Sequence, residues 1–348
     1  MRVLHLSFHY GCISDIQSVM TKLNFEIHHQ CLHNILPYHI TQQLANAIWN
    51  ENKEKYNSYD VIITSDTVAL AYIFLLNLNE LIPNLIILNS NRFTYAMEQE
   101  VKFLELLQQV QCNSKYVQKV TYIPYTDFER IWCAKHHLYL SERSILPIGK
   151  YERHINSKEL MDNYFKSINT QYQDTDNIDT IFIQDYHNHI RFMNLSEYLN
   201  KHQISNVFGG YTDINELNKY KALVVLPDAF SKYFVFESIQ QKLVVLVPSP
   251  RFLLNLVKQG GYFFNIEGSG GQLTEEFINL CEWYKYPETR IYFDSFDEMI
   301  ELLKNLTSEK MKIIKKWCEF YGKIIEEEHL IQWKNIFNKI QFHKELSL

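Results

Sequence analysis

The sequence predicts an α/β protein of two domains, each a parallel sheet covered by helices on both faces. Two observations predict it. Short apolar runs rich in Val and Ile recur between helix-like segments, first in residues 1–150 and again in residues 179–307. Strands buried on both faces read as such runs. Between the two series lies "KYERHINSKELMDNYFKSINTQYQDTDNID" (Lys150–Asp179), polar and rich in Asn, Asp and Lys, where the alternation stops. A length of 348 residues agrees with two domains of roughly 100–200 residues each. The expected division is a first domain at 1–150, a linker at 151–178, a second domain at 179–307 and a helical tail at 308–348.

In the first series, "RVLHLSF" (Arg2–Phe8) is a strand, followed by the loop "HYGCISD" and the helix "ISDIQSVMTKLN", with Ser14 or Asp15 as N-cap. "YDVIITSD" (Tyr59–Asp66) is a second strand before the helical "VALAYIFLLNL". "NLIILNSNRF" (Asn84–Phe93) is a third, and "KVTYIPYTDFERIWCAKH" a fourth strand running into a helix. In the second series, "TIFIQ", "SNVFGGY", "KALVVLP" and "LVVLVPS" read as strands, with helices in "IRFMNLSEYLNKH", "SKYFVFESIQQ" and "RFLLNLVKQ". The tail carries Ile313, Ile314, Trp317, Phe320 and Ile324, then Leu330, Trp333, Phe337 and Ile340, at the spacing of one or two amphipathic helices.

Composition excludes several classes of function. With 34 Lys+Arg against 40 Asp+Glu and a net charge of -6, the chain lacks the basic excess of a nucleic-acid binder. No dense Lys/Arg block adjoins an apolar segment, so membrane-surface binding is not expected. No window reaches eighteen uninterrupted apolar residues, so no integral membrane segment is expected either. The start "MRVLHLSFHYGC" alternates and lacks the apolar core of a signal peptide. The six cysteines are scattered without a C-x-x-C pair and read as reduced, buried thiols of a cytoplasmic protein.

Open α/β sheets bind ligands beyond the carboxyl ends of their strands. Here those ends carry His9, Tyr10 and Gly11; Ser65 and Asp66; Asn89 to Arg92; Tyr125 to Asp127; Asp185 to His189; and Asp228 to Lys232. Two sheets in tandem are expected to turn these edges towards one cleft. The first strand is not followed by G-x-G-x-x-G, so a dinucleotide is not the expected ligand.

The segment "LPDAFSKYFVFESIQQKLVVLVPSP" sharpens the expectation. This strand–loop–helix–strand unit, with a glutamate in its helix, resembles the donor site of GT-B glycosyltransferases, which pair two Rossmann-like domains and send a C-terminal helix back over the first. The resemblance covers nearly the whole chain as architecture, and its motif content is confined to this segment. It implies a nucleotide-sugar donor, of the UDP or GDP class, with Glu237 on the ribose and Ser231, Lys232 and Tyr233 near the diphosphate. Independently, unpaired N–H groups at a helix start favour an anion, and a nearby Lys adds a charge-assisted contact. The second glutamate common in retaining members is Ala229 here, and the usual "G-x-P" is "QKLVVLVP". Both departures favour inversion. The alternative for Glu237 is an ordinary exposed helix acid.

Inverting transfer needs a general base near the acceptor hydroxyl. The resemblance implies a base from the first domain, and His9 and Asp66 are the candidates, with Asp66 either the base or the group that orients His9. Each also has a plain structural role: His9 beside Phe8 and Tyr10 as a packing residue, Asp66 in "SDT" as a helix N-cap. Arg92 offers a planar fork for a phosphate or an acidic acceptor, and Tyr125 is a further candidate there. Arg191 and Arg251 are candidates for neutralising the diphosphate. "HNH" (His187–His189) lacks the further ligands of a zinc site, "DTD" (Asp174–Asp176) lies in the linker, and "EGSGG" (Glu267–Gly271) reads as a flexible turn. No metal and no cofactor beyond the nucleotide-sugar is expected. The rival readings are an epimerase or hydrolase of the same architecture, and a non-catalytic two-domain binder.

Overall fold

The computed structural model describes every residue except 31–38, 91–96, 98–99, 140–143, 150–178, 185–187, 189–191, 212–213, 231, 266–272 and 347–348. The chain divides into two compact units, Met1–Ile155 with Glu327–Leu348, and Asn156–Glu326.

The first unit is built on β1 (Arg2–Leu6), β2 (Glu26–Gln30), β3 (Val61–Thr64), β4 (Asn84–Asn89) and β5 (Val120–Pro124), all parallel, in the order β2-β1-β3-β4-β5. Strands β1, β3, β4 and β5 are almost wholly buried because helices cover both faces. Those helices are α1 (Tyr10–Lys22), α2 (Gln42–Tyr56), α3 (Val101–Cys112) and α4 (Asp127–Lys135). The stretch expected as a helix after β3 is a 3-10 turn (Val68–Ala71) and a single α-turn (Tyr72–Leu75), every residue of it buried. Trp49, Tyr56 and Phe74 interlock there edge to face, with Tyr56 and Phe74 5.1 Å apart.

The second unit repeats the plan. Strands β6 (Ile181–Gln184), β7 (Asn206–Gly209), β8 (Ala222–Val225), β9 (Val245–Pro248) and β10 (Arg290–Phe293) are parallel, in the order β10-β9-β8-β6-β7. Read from its own first strand, this is the same winding as the first sheet. The helices are α5 (Leu195–Lys201), α6 (Tyr233–Gln240), α7 (Pro250–Gln259) and α8 (Phe296–Lys304). Ser249 caps α7 by accepting from Phe252 N, and Pro250 sets its first turn. The segment after Thr274 yields only a four-residue helix and a 3-10 turn, short of the longer helix its spacing suggests.

The tail is a single helix, α9 (Ser308–Leu346). Its residues to Glu326 cluster with the second unit and those from Glu327 with the first. In the first unit Trp333, Phe337 and Ile340 are buried, and Phe337 packs against Phe25 at 4.8 Å. His329 lies 3.5 Å from Asp15, whose other oxygen accepts from Ile148 N (2.7 Å) and Gly149 N (3.2 Å). Asp15 is thus a buried acceptor inside α1. The expected N-cap at Ser14 or Asp15 is corrected to His9, four residues before the apolar spacing begins. The five described cysteines are free, and Cys112 is exposed, against the expectation that all are buried.

Candidate functional site

Both sheets reverse direction of winding between their first and third strands, at β1/β3 and at β6/β8. In such open sheets the chain diverges to opposite faces there and leaves a crevice beyond the strand ends. The chemically distinctive side chains of each unit gather at this point.

In the first unit, His9 and Asp66 follow β1 and β3. His9 caps α1, its Nδ1 accepting from Cys12 N at 3.4 Å, while its own N–H donates to Ser7 Oγ at 3.2 Å. With Nδ1 accepting, the neutral ring carries its proton on Nε2. Asp66 holds a left-handed backbone, φ +77°, unusual for a residue with a Cβ. Ser90 fixes that turn by donating both N–H (3.3 Å) and hydroxyl (2.8 Å) to Asp66 O. Burial raises the Asp66 carboxyl above its ordinary value, and the neighbouring His9 pulls it back down. The two groups are therefore within electrostatic reach of each other.

A buried polar chain supports this corner. His5 Nε2 and Ser65 Oγ are 2.7 Å apart, Ser65 Oγ and Ser7 Oγ 2.9 Å, and Ser7 accepts from His9 N. On the other side His5 Nδ1 meets His29 Nδ1 at 3.0 Å, and His29 Nε2 meets Gln17 Oε1 at 2.8 Å. His29 donates to that amide oxygen, which leaves its Nδ1 to accept from His5. Burial holds both rings neutral: His29 is lowered to about 4, with His28 adding to the effect, and His5 lies well below its ordinary value, with His29 adding.

In the second unit, Asp228 follows β8, and Lys232 is the N-cap of α6 without a side-chain capping bond. Lys232 Nζ lies 2.7 Å from Asp228 Oδ1, with both side chains largely buried. Burial lowers the lysine's pKa and the carboxylate raises it again. Glu237 sits in the second turn of α6. It is 2% exposed and accepts from the Tyr211 hydroxyl at 2.8 Å. The reading of Glu237 as an exposed helix acid is thereby overturned. The start of the loop, Pro227 to Ala229, is braced by three bonds to its backbone oxygens. Tyr262 OH donates to Pro227 O (2.7 Å), Asn265 N to Asp228 O (2.8 Å) and Trp283 Nε1 to Ala229 O (3.3 Å). Arg290, buried at the start of β10, donates to Val235 O (2.8 Å) and Ser238 Oγ (2.9 Å) and so fixes α6.

The other expected residues divide. Ser231, Arg191 and Arg92 lie outside the described residues, as do "DTD", both histidines of "HNH" and "EGSGG". Asn188 of "HNH" is buried and clamps Phe263 through two bonds, Nδ2 to Phe263 O (2.8 Å) and Phe263 N to Oδ1 (2.7 Å). Tyr233 is the first residue of α6, two residues after the start expected from sequence. Tyr125 is shut into the end of β5, a placement that favours packing over ligand contact. Arg251 is exposed and paired to Asp294 at 2.9 Å. Among the described residues no cluster of three His, Cys, Asp or Glu is placed to hold a metal ion.

No family model matches the chain, and no curated protein matches it in sequence. Solved structures do resemble it in shape. The UDP-GlcNAc 2-epimerase of Neisseria meningitidis bound to UDP-GlcNAc matches with a TM-score of 0.40 and 11% identity, over 94% of this chain and 100% of that one. The calicheamicin glycosyltransferase CalG4 gives 0.40 and 9%, over 97% and 98%. UGT89C1 of Arabidopsis thaliana complexed with UDP gives 0.42 and 9%, over 94% and 91%. All are distant likenesses.

Four residues at these sites escaped sequence reasoning: Tyr211, Arg290, His5 and His29. Tyr211 had a signal, since it ends a strand-like run at "GGY".

Proposed function

We propose that this protein is a metal-independent, inverting glycosyltransferase, of the hexosyl or pentosyl class, that moves a sugar from a nucleotide diphosphate-sugar to a hydroxyl acceptor in the cytoplasm. The observation that carries the reading is Glu237, a buried carboxylate on the helix that leaves the switch point of the second sheet. A carboxylate so placed, with Tyr211 occupying one oxygen, suits the paired hydroxyls of a ribose. The diphosphate would lie at the start of α6, where backbone N–H groups and Lys232 favour an anion. Lys232 would then exchange part of its contact with Asp228 for the phosphate.

In the first unit Asp66 is the base of this reading. Its carboxyl, raised by burial, takes the acceptor's proton as the acceptor oxygen attacks the anomeric carbon. The bond from that carbon to the diphosphate oxygen breaks, and the diphosphate leaves with the electron pair. His9 offers an N–H at Nε2 and would orient Asp66 or the acceptor. A second reading, an epimerase or hydrolase of nucleotide-sugars, draws support from the same pair, because two acid–base groups exceed what inversion alone needs.

The test is release of nucleoside diphosphate from UDP- and GDP-sugars offered with hydroxyl acceptors. Asp66→Asn is expected to lower kcat by about a hundredfold or more, with donor Kd within about twofold of wild type. Conversion of the sugar without diphosphate release would select the second reading. Absence of any turnover by the wild-type protein would leave a ligand-binding protein in its place.

A further inference from the structure

The first half of α9 bears an apolar stripe that the fold leaves in solvent. Ile313, Trp317 and Phe320 are 52%, 39% and 52% exposed. Their spacings of four and three residues set them on one line along the helix. Trp317 lies 5.9 Å from the ring of Phe320 and 5.9 Å from that of Tyr321, so the patch is a continuous aromatic surface.

This half-helix is held in one orientation. Ile314, Cys318, Gly322 and Ile325 face inward. Gln240 Nε2 donates to Gly322 O (3.1 Å), Tyr321 OH donates to Glu288 Oε2 (3.0 Å), and Lys242 reaches Glu319 (3.3 Å). The stripe therefore cannot turn into the core without breaking these contacts.

Charge around the stripe is one-sided. From Ser308 to Trp317 there are four lysines, Lys310, Lys312, Lys315 and Lys316, against the single carboxylate Glu309. All four are exposed, and among the described residues none has a carboxylate within ion-pair distance, whereas Lys323 and Lys242 both reach Glu319. Lys316 is three residues after Ile313 and four before Phe320, Lys310 is three before Ile313 and Glu309 four before it, so two lysines and the one carboxylate border the stripe directly. A chain of net charge -6 concentrates unneutralised cations at the rim of its aromatic patch.

We propose that this half-helix is an interfacial anchor for an anionic lipid bilayer, with Ile313, Trp317 and Phe320 entering the headgroup boundary and the lysines reaching lipid phosphates. Trp, Phe and Ile beside flexible lysine stems are the composition such a contact uses. A second copy of this chain is the alternative occupant, and a two-fold contact would bring both copies of the lysine cluster into one interface. A bilayer anchor here departs from the expectation from sequence that membrane-surface binding has no support. Lysines and apolar residues alternate along "KMKIIKKW", and only the helix sorts them onto adjoining rows.

The test is co-sedimentation of the full chain with vesicles of phosphatidylcholine alone and with one quarter phosphatidylglycerol, in low and high salt. Binding is expected only to the anionic vesicles and is expected to fall with added salt. Each lysine near the surface is worth about fivefold in partitioning, so Lys310→Gln/Lys316→Gln, which removes the two that border the stripe, is expected to weaken binding roughly twenty-five-fold. Trp317→Ser/Phe320→Ser is expected to abolish it, and both variants unfold in urea at the wild-type midpoint. Equal binding to neutral vesicles, or none to either, overturns the proposal. So does a wild-type dimer in sedimentation that the Trp317→Ser/Phe320→Ser variant converts to monomer without any vesicle binding.

Discussion

Asp66 keeps a left-handed backbone, φ +77°, at the point where the first sheet changes its winding. Such a conformation costs roughly 1–2 kcal/mol for a residue with a Cβ, least for Asp and Asn. Strain of this kind collects at functional positions. Asp66→Gly is therefore expected to keep stability within about 1 kcal/mol of wild type in urea while losing turnover. Asp66→Val is expected to lose both. The neighbouring histidines make a prediction about pH. Folded His29 titrates near 4 and folded His5 well below its ordinary value, against 6.5 for each when unfolded. The unfolded chain thus binds more protons below pH 6.5. The pair's contribution is full above that value and is lost as pH falls towards the folded pKa. The urea midpoint is expected to drop between pH 6.5 and 4, and His5→Gln/His29→Gln to flatten that limb. Both His9 and Asp66 were legible in sequence as polar residues ending buried strands. The relay behind them was not, because β2 is a polar edge strand, "EIHHQ", without the apolar run that marks its neighbours.

At the scale of elements, the second site depends on how α6 is held. Arg290 holds Val235 O and Ser238 Oγ through one guanidinium nitrogen and Thr289 O through the other from a buried position, a planar spread that a single ammonium cannot reproduce. Arg290→Lys is expected to destabilise the protein by about 2–3 kcal/mol, and to weaken nucleotide binding with no direct contact to the ligand. Guanidinium chloride unfolding alongside nucleotide titration checks both parts. The loop and helix around Glu237 were readable because a polar loop between two apolar strands has few other meanings. The strand that delivers Arg290 was not, for "RIYF" opens with a cation, and its two outer residues alone are buried. Capping at the other site was misplaced for a similar reason. Apolar spacing in α1 becomes regular only from Ile13, while the helix begins at Tyr10 under a histidine cap.

For the whole molecule, the recurrence of strand and helix was enough to read two parallel sheets, and each proves to have the same winding. That common order matters for function, since it sets one switch point per unit and puts His9 and Asp66 at one, Asp228 and Lys232 at the other. Sequence could not supply the order itself, because strand pairing is a long-range property that apolar runs do not encode. Nor could it show that the tail is one helix whose two halves serve different units. The account stands on the second switch point holding a nucleotide diphosphate through Glu237. The measurement that tests it most directly is the thermal stability of wild type and Glu237→Ala with UDP, GDP and their sugars. Ligand at a hundredfold excess over Kd adds about 2.7 kcal/mol to the folded state. One nucleotide family is expected to raise the wild-type Tm, with the shift lost or greatly reduced in the variant. No shift with any nucleotide, or an equal shift in Glu237→Ala, would contradict the account.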